Sequence, residues 1–571
     1  MSFIDQVALK ALCERYPIPS GVQYSYGTSG FRLQGNLLAP ALARVALLLP
    51  FRGAYWSKQA GKEGNGRAIH LGLMITASHN PAADNGAKLI DFEGSMLDVH
   101  WEPVATELAN SQGADELSSI LRRLTEAHGL WSGGLPPADS EPVCVVHVGR
   151  DTRPSGVEIL RSCLETFSIF PAQLVRVMDQ GVLSTPALHC VVYDSCRLNI
   201  SSRRVQLDIE HYLSSRLQAF NDLYLSVSEI VAPLIVKKKR LVVDGANGVG
   251  AVILRQLIAH PLAKEVLNKY FDVVVVNGNV AEVQLLNFEC GADHVQKTRV
   301  APHQFAPFYE AEENDAKLVS FYSLDGDADR VVAFSSNTRQ LLDGDRFSVM
   351  LANLVRRILD ADISEEEAQQ VVVGVVQTAY ANGSSTHYIE SILRLRTMCT
   401  ATGVKYLHPV AHTMDVGIYF EANGHGTVLI NQPKLLQKSS KLRALSRITS
   451  QACGDAIGDL LACEIALLWL GFDSEDWVQL FHDLPSIQSK IHIASPRVIQ
   501  TEPNERRATH PVGLQPAIDE AVGATKDRRA RAFVRPSGTE PLVRVYVEAS
   551  SVEVTQELEK SVRDLVLTYC A

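Results

Sequence analysis

The sequence predicts an α/β protein that closes on a small α+β unit, and three observations carry that reading. First, β-branched runs recur, each followed by a glycine or polar turn and then a helical pattern. Residues 143–148 precede Gly149-Arg150-Asp151, and residues 241–244 precede Gly245-Ala246-Asn247-Gly248. Residues 318–324 precede Asp325-Gly326-Asp327, and residues 371–376 precede Gln377-Thr378-Ala379. Strands alternating with helical stretches mark βαβ units and mostly parallel sheets. Second, 571 residues at about 150 per domain make roughly four domains. Third, the pattern changes near the C-terminus: 531–534 and 542–549 are strand-like around a Pro-Ser-Gly turn, and 552–568 has apolar residues at helical spacing. The polar stretches 132–142 and 495–511 read as connections, and 194–206 has no clean period.

Composition narrows the class. Apolar residues are 46% and charged residues 21%, the balance of a chain that buries a large core, which excludes disorder and collagen-like repeats. With 54 Lys plus Arg against 64 Asp plus Glu the net charge is −10. A site for an anionic substrate must therefore build its own local positive field. The basic run Lys237-Lys238-Lys239-Arg240 leads straight into an apolar strand and reads as its solvated entrance, not as a nucleic-acid arm. Ten cysteines without a C-x-x-C pair argue against a zinc ribbon, a thioredoxin motif or a disulfide scaffold, and for a reducing compartment. Asp5, Lys10, Glu14 and Arg15 break any signal-peptide core. The longest apolar runs, 45–51 and 465–472, fall short of the ~20 residues of a membrane span. The expectation is a soluble, cytoplasmic, multidomain protein with no nucleic-acid or membrane partner.

Four motifs carry chemistry. Thr76-Ala77-Ser78-His79-Asn80-Pro81 follows an apolar run and is expected to present Ser78 to solvent at a strand end. On its own the stretch also suits a capping turn, and it lacks the G-x-S-x-G of a nucleophile elbow. Lys88, ten residues on, sets a cation that suits a phosphorylated serine. Next, Asp325-Gly326-Asp327-Ala328-Asp329-Arg330 alternates three carboxylates at a strand end. They can converge on one hard cation and leave room for a phosphate oxygen, which suits Mg²⁺. An EF-hand is excluded, because Arg330 and Ser336 stand where glycine and glutamate belong. The third motif, Arg535-Pro536-Ser537-Gly538-Thr539-Glu540-Pro541 with Arg544 beyond, offers a nest of backbone N–H groups flanked by forked donors for phosphate, or an ordinary hairpin turn. The fourth, Glu421-Ala422-Asn423-Gly424-His425-Gly426, offers side chains that bind adjacent hydroxyls, or is simply a polar loop. Two further matches fail. Residues 245–250 have the wrong spacing for a dinucleotide fingerprint, and His408 and His412 lack the glutamate of H-E-x-x-H.

In this order, serine loop, metal loop, sugar loop and phosphate loop, the motifs resemble the α-D-phosphohexomutase superfamily over nearly the whole chain. Tyr26-Gly27-Thr28-Ser29-Gly30-Phe31-Arg32, Gly149-Arg150-Asp151-Thr152-Arg153 and Thr402-Gly403-Val404-Lys405 match it too. Gln377-Thr378-Ala379-Tyr380-Ala381-Asn382-Gly383, and Asn423 where glucose and mannose mutases usually carry serine, resemble the eukaryotic branch that acts on N-acetylglucosamine phosphates. The resemblance implies three α/β domains with mixed sheets and a small C-terminal α+β domain, in a heart shape around a central cleft. The divisions expected are residues 1–190 with the phosphoserine loop, 191–340 with the metal loop, 341–480 with the sugar loop and 481–571 with the phosphate loop.

The same resemblance implies an intramolecular phosphotransferase. It would interconvert N-acetylglucosamine 6-phosphate and 1-phosphate through a phosphoserine at Ser78 and a sugar bisphosphate, feeding UDP-N-acetylglucosamine synthesis. One Mg²⁺ would be held by Asp325, Asp327, Asp329 and the phosphorylated Ser78. Arg32, His79, Lys88 and Arg330 are then the catalytic candidates beside Ser78. Lys405, Glu421, Asn423 and His425 are the sugar-binding candidates, and Arg535, Ser537, Gly538, Thr539 and Arg544 the phosphate-binding ones. The partners expected are small-molecule sugar phosphates, on a monomer or weak dimer. A glucose or mannose mutase is the alternative within the enzyme class. A non-catalytic scaffold relative is the alternative outside it, and intact serine and metal loops speak against it. Residues 196–207 and the stretch beyond Pro496 depart from the family pattern and are expected to touch no motif.

Overall fold

A computed structural model describes residues 4–60, 68–131, 134–198, 207–231, 238–311, 318–493, 498–537 and 542–570. The chain divides into two compact units, Met1–Leu341 with Ala444–Ala462, and Leu342–Arg443 with Cys463–Ala571.

The first unit holds a six-stranded sheet in the order Tyr26–Gly27, Gly30–Gln34, Asp84–Ile90, Ile69–Ile75, Cys144–Arg150, Val175–Val182. Its last three strands are parallel and the others antiparallel, so the sheet is mixed where the strand–helix alternation predicts a mostly parallel one. The cause is local: Ile69–Ile75 returns through the short 76–83 turn to Asp84–Ile90, and so short a connection joins only antiparallel neighbours. Ile69–Ile75 is buried at every position, which is why it reads as a continuous apolar run. The helix Gly156–Phe167 makes the crossover between Cys144–Arg150 and Val175–Val182, with Ile159, Cys163 and Phe167 buried. A five-stranded sheet follows in the order Leu341–Leu342, Val331–Phe334, Val319–Leu324, Lys239–Asp244, Phe271–Val276. Its last three strands are parallel.

Register places the loops that matter. Ile75 pairs with Arg150, and Asp244 with Ser323. The parallel strands of each sheet therefore end side by side. From those carboxyl ends, where open α/β sheets bind their ligands, start the loops with Ser78, Asp151–Arg153, Ala246 and Asp325.

The second unit holds a four-stranded sheet, Arg396–Thr400, Val373–Thr378, Val416–Phe420, Gly426–Ile430, whose last two strands form a hairpin around residues 421–425. Ser486–His492, Leu542–Glu548 and Arg531–Pro536 form an antiparallel sheet. Val534, Val543, Val545 and Val547 share its core with Leu514 and Ile518 of the helix Leu514–Ala524 and Leu558, Val562 and Val566 of the helix Val552–Tyr569. This is the α+β unit expected from the C-terminal pattern. The stretch 495–511, expected as a connection, contains a two-stranded ribbon, Gln500–Thr501 with Ala508–His510. Strands of two and three residues are too short to show a period. Of the unassigned stretch 194–206, residues 194–197 end the helix Thr185–Arg197, and 199–206 lie outside the described residues. Among the described residues no helix is long and apolar enough to cross a membrane.

Candidate active site

In the first unit, Ser78 is fully buried, which corrects the expectation of a serine presented to solvent. The 325–330 loop packs over it. Ser78 Oγ donates to Asp325 Oδ2 at 2.7 Å, and a Cβ on Gly326 would lie 2.5 Å from the Ser78 carbonyl oxygen. Only glycine permits so close an approach.

The Ser78 backbone is left-handed, with φ 52°, a conformation that costs a non-glycine residue about 1–3 kcal/mol. Its neighbours hold it there. The Ser78 N–H donates to Thr76 Oγ1 at 3.0 Å, and the Thr76 hydroxyl donates to Asp151 Oδ2 at 2.7 Å. The Ser78 carbonyl accepts from Arg153 Nη2 at 3.0 Å and from Asn287 Nδ2 at 2.9 Å. The Asn80 carbonyl accepts from the same two groups, at 2.7 and 3.0 Å. Asp151 in turn pairs with Arg153. Asn287 is itself fixed through the second sheet: its N–H donates to the Ala246 carbonyl at 2.9 Å, and Asp244 accepts from the Ala246 N–H at 3.0 Å. The 245–250 segment that fails as a dinucleotide fingerprint thus serves as the prop for Asn287.

Each aspartate divides its oxygens. Asp325 Oδ1 accepts the N–H groups of Asp329 and Arg330, at 3.0 and 3.2 Å. Asp327 Oδ2 accepts Lys88 Nζ and the Thr185 hydroxyl, both at 2.7 Å. Lys88 also donates to Asp329 Oδ2 at 2.6 Å. One oxygen from each of the three aspartates lies within 4.8 Å of the others, and Asp327 Oδ1 is buried with no hydrogen bond. Three converging carboxylates, one of which has a buried and unsatisfied oxygen, fit Mg²⁺. Burial pushes the Asp325 carboxyl well above the ordinary carboxylate range, and Asp329 and Asp327 add to it. Burial and Asp329 push Asp327 the same way, but Lys88 and Thr185 outweigh them and hold it below. Burial opposes the Lys88 ammonium, yet Asp327 and Asp329 raise its pKa above the ordinary lysine value. Lys88 is therefore a permanent cation inside the acidic loop.

His79 Nδ1 lies 3.4 Å from Ser78 Oγ. Burial, then Arg330, Arg32 and Lys297, hold its pKa far below the ordinary histidine value, so the imidazole is neutral. Arg330 Nε lies 3.7 Å from both Asp325 and Asp329, and its Nη1 lies 3.6 Å from Asp293. Arg32 donates to Asn80 Oδ1 at 3.3 Å and to Ser29 Oγ at 3.4 Å. The first unit thus brings together Ser78, His79, Lys88, Arg32, Arg330 and the three aspartates.

In the second unit the 421–425 loop is closed by its own groups. The Glu421 N–H donates to the His425 carbonyl at 2.9 Å, the His425 N–H to Asn423 Oδ1 at 3.0 Å, and Asn423 Nδ2 to Glu421 Oε2 at 3.5 Å. Glu421 Oε1 accepts the Gly403 N–H at 3.0 Å, which ties this loop to the segment leading into the helix Val404–Ala411 that carries Lys405. Arg535 pairs with Arg544 across the hairpin register. Arg535 donates to Tyr380 Oη at 3.0 Å and to Glu505 Oε1 at 3.0 Å. Glu505 Oε2 accepts the Thr402 N–H and hydroxyl, at 3.0 and 2.6 Å. The stretch beyond Pro496, expected to touch no motif, therefore supplies the carboxylate that joins Arg535 to the 402–405 segment. The Ser537 N–H closes the hairpin on the Leu542 carbonyl at 2.9 Å. Gly538 and Thr539 lie outside the described residues.

Two models of phosphoglucomutase/phosphomannomutase, for α/β/α domain I and for the C-terminal domain, match residues 62–112 and 501–565. The class is that of the α-D-phosphohexomutases. Models of phosphoacetylglucosamine mutase AMG1, domains II and III, match residues 205–332 and 343–472. The phosphoacetylglucosamine mutase of Arabidopsis thaliana is 38% identical over 99% of this chain and 99% of its own. A crystal structure of the N-acetylphosphoglucosamine mutase of Aspergillus fumigatus, in complex with GlcNAc-6P and magnesium, matches with a TM-score of 0.84 and 34% identity, covering 99% of both chains. A structure of a serine-to-alanine variant of that enzyme, in complex with glucose 1,6-bisphosphate, matches with a TM-score of 0.82 and 33% identity over 99% of each chain. The chain belongs to the phosphoacetylglucosamine mutase family.

Proposed function

We propose that this protein interconverts N-acetylglucosamine 6-phosphate and 1-phosphate by a phosphoserine relay on Ser78. The observation that carries the reading is the hydrogen bond from Ser78 Oγ to Asp325 inside a buried loop of three aspartates. In each half-reaction the bond from Ser78 Oγ to phosphorus breaks as a sugar hydroxyl oxygen bonds the same phosphorus. The proton lost by that hydroxyl ends on Ser78 Oγ. His79, whose Nδ1 lies 3.4 Å from Oγ, orients that hydroxyl and does not carry the proton, because its surroundings disfavour the protonated ring. The resulting bisphosphate turns over, and its other phosphate returns to Ser78. Arg32, Arg330 and Lys88 face the charge that spreads over the nonbridging oxygens. Asp325, Asp327 and Asp329 hold Mg²⁺, which when bound supplies Lewis-acid neutralisation of the phosphoryl group.

The sugar- and phosphate-binding candidates keep the roles that the family resemblance implies. Glu421, Asn423 and His425 bind ring hydroxyls, with Lys405 as a cation beside them. Arg535, Ser537, Gly538, Thr539 and Arg544 bind the phosphate that is not reacting. The four-domain division belongs to the same reading, with one main sheet to each part; the bounds at 190 and 340 shift C-terminally, past the helix Thr185–Arg197 and past the strand Leu341–Leu342. We also read the protein as cytoplasmic, acting on small-molecule sugar phosphates as a monomer or weak dimer with no nucleic-acid or membrane partner. Ten cysteines with no disulfide among them support that compartment.

A panel of hexose and N-acetylhexosamine phosphates, primed with a trace of bisphosphate, tests the substrate. N-acetylglucosamine phosphates are expected to lead glucose phosphates by roughly 5- to 150-fold in kcat/KM, the worth of one buried polar contact of ~1–3 kcal/mol. Asn423→Ser is expected to narrow that gap more than it lowers the glucose rate. A wild-type preference for glucose 1-phosphate would assign the protein to the glucose branch instead.

Asn287→Ala tests how the serine is positioned. Two carbonyls of the serine turn lose a donor, and kcat is expected to fall roughly 10- to 100-fold with KM little changed, because a misplaced reacting atom costs rate more than binding. Steady-state kinetics on a variant with unchanged circular dichroism decide it. An unaltered kcat would mean that Arg153 alone holds the turn.

A further inference from the structure

The first unit carries a second set of metal-ligating side chains, outside the loops described above. Cys190 and Asp194 stand four residues apart on the helix Thr185–Arg197, and so on one face of it. His211 stands on the helix Ile209–Val231. Cys190 Sγ donates to Asp194 Oδ2 at 3.4 Å, and His211 Nε2 lies 2.8 Å from the same oxygen. One ligand atom from each of the three lies within 4.8 Å of the others.

We propose that Cys190, Asp194 and His211 bind one thiophilic divalent cation, Zn²⁺, with water as the fourth ligand. Sulfur, imidazole nitrogen and carboxylate oxygen together are a zinc donor set, while Mg²⁺ takes oxygen alone. A thiolate and a carboxylate balance the double charge of the ion. Access is built in: Cys190 is buried, while the Asp194 and His211 side chains are 26% and 25% exposed, so solvent reaches the cluster from one side. The neighbouring cation Arg216 is engaged by Asp455 at 3.0 Å and by the Arg447 carbonyl at 2.6 Å, which limits its repulsion of an incoming ion. Binding breaks the Cys190 S–H bond, forms the sulfur–metal bond and releases the proton to solvent.

The site has a structural consequence. Thr185 opens the same helix, and it holds Asp327 by its hydroxyl at 2.7 Å and by its N–H on the Asp327 carbonyl at 3.2 Å. An ion that ties this helix to Ile209–Val231 steadies the residue that positions the aspartate loop.

The test is equilibrium dialysis of the full chain against Zn²⁺ with Mg²⁺ in large excess. One equivalent is expected to bind. Co²⁺ in its place is expected to give a thiolate-to-metal charge-transfer band, which the sulfur-free aspartate loop cannot produce. Cys190→Ser and His211→Gln are each expected to weaken Zn²⁺ binding by more than about tenfold, while Asp327→Ala leaves it intact. Zn²⁺ is also expected to raise the Tm of the wild type and not that of His211→Gln. His211 is partly exposed, so that variant serves even if Cys190→Ser does not fold. Unchanged zinc binding in His211→Gln, or a Co²⁺ complex without the charge-transfer band, overturns the proposal.

Discussion

Ser78→Ala is expected to lose mutase turnover by at least ~10⁴-fold, the scale on which removing a covalent nucleophile abolishes a relay. The position of Oγ is set by a left-handed backbone, which two side-chain donors grip through the carbonyls of Ser78 and Asn80. Alanine keeps those backbone contacts, so the fold is expected to survive. The cost in stability is that of one lost buried hydrogen bond to Asp325, about 1–3 kcal/mol. Circular dichroism and thermal melting separate that modest loss from the catalytic one. Full turnover in Ser78→Ala would rule out the relay.

Removing the metal, or one of its ligands, is expected to have the next largest effect. Treatment with EDTA, or Asp327→Ala assayed at low Mg²⁺, is expected to lower kcat/KM by roughly 10²- to 10⁴-fold, the worth of several kcal/mol of transition-state charge stabilisation. Asp327→Ala is not expected to unfold the unit. Lys88 keeps Asp329 as a partner at 2.6 Å, so no cation is stranded. The repulsion that raises the Asp325 pKa is relieved as well, since Asp327 contributes to it. Tm should fall by no more than the loss of the buried hydrogen bonds from Lys88 and Thr185 accounts for, while activity falls far more. An EDTA-treated enzyme that runs at full rate would remove the metal from the account.

Much of this site is legible in the sequence because its chemistry is local. Ser78 and the three aspartates lie in short motifs at strand ends, where apolar runs stop abruptly and polar residues begin. What the sequence conceals is what distance assembles. Asn287 reaches the serine turn across 209 positions of sequence, and nothing in its surroundings marks it. Arg153 and Tyr380 lie in recognised segments, but their roles depend on which carbonyl or guanidinium they meet. Glu505 sits in a polar reversal between two very short strands, where periodicity has nothing to report. The burial of Ser78 escapes the sequence for a related reason. A turn former at a strand end is exposed unless another loop covers it, and that cover depends on Gly326 from the other sheet of the unit. The mixed sheet order follows from one short turn, which an apolar pattern alone does not resolve.

The central claim is that phosphoryl passes through Ser78, and single-turnover transfer tests it most directly. The protein is first labelled by a phosphoryl-labelled sugar bisphosphate, freed of ligand, and mixed with N-acetylglucosamine 6-phosphate and Mg²⁺. Peptide analysis before mixing is expected to find one labelled phosphate, on Ser78. After mixing, the label is expected to leave the protein for the sugar at least as fast as the steady-state turnover. A label that resides on another residue, or that stays on Ser78 while product forms, would contradict the account.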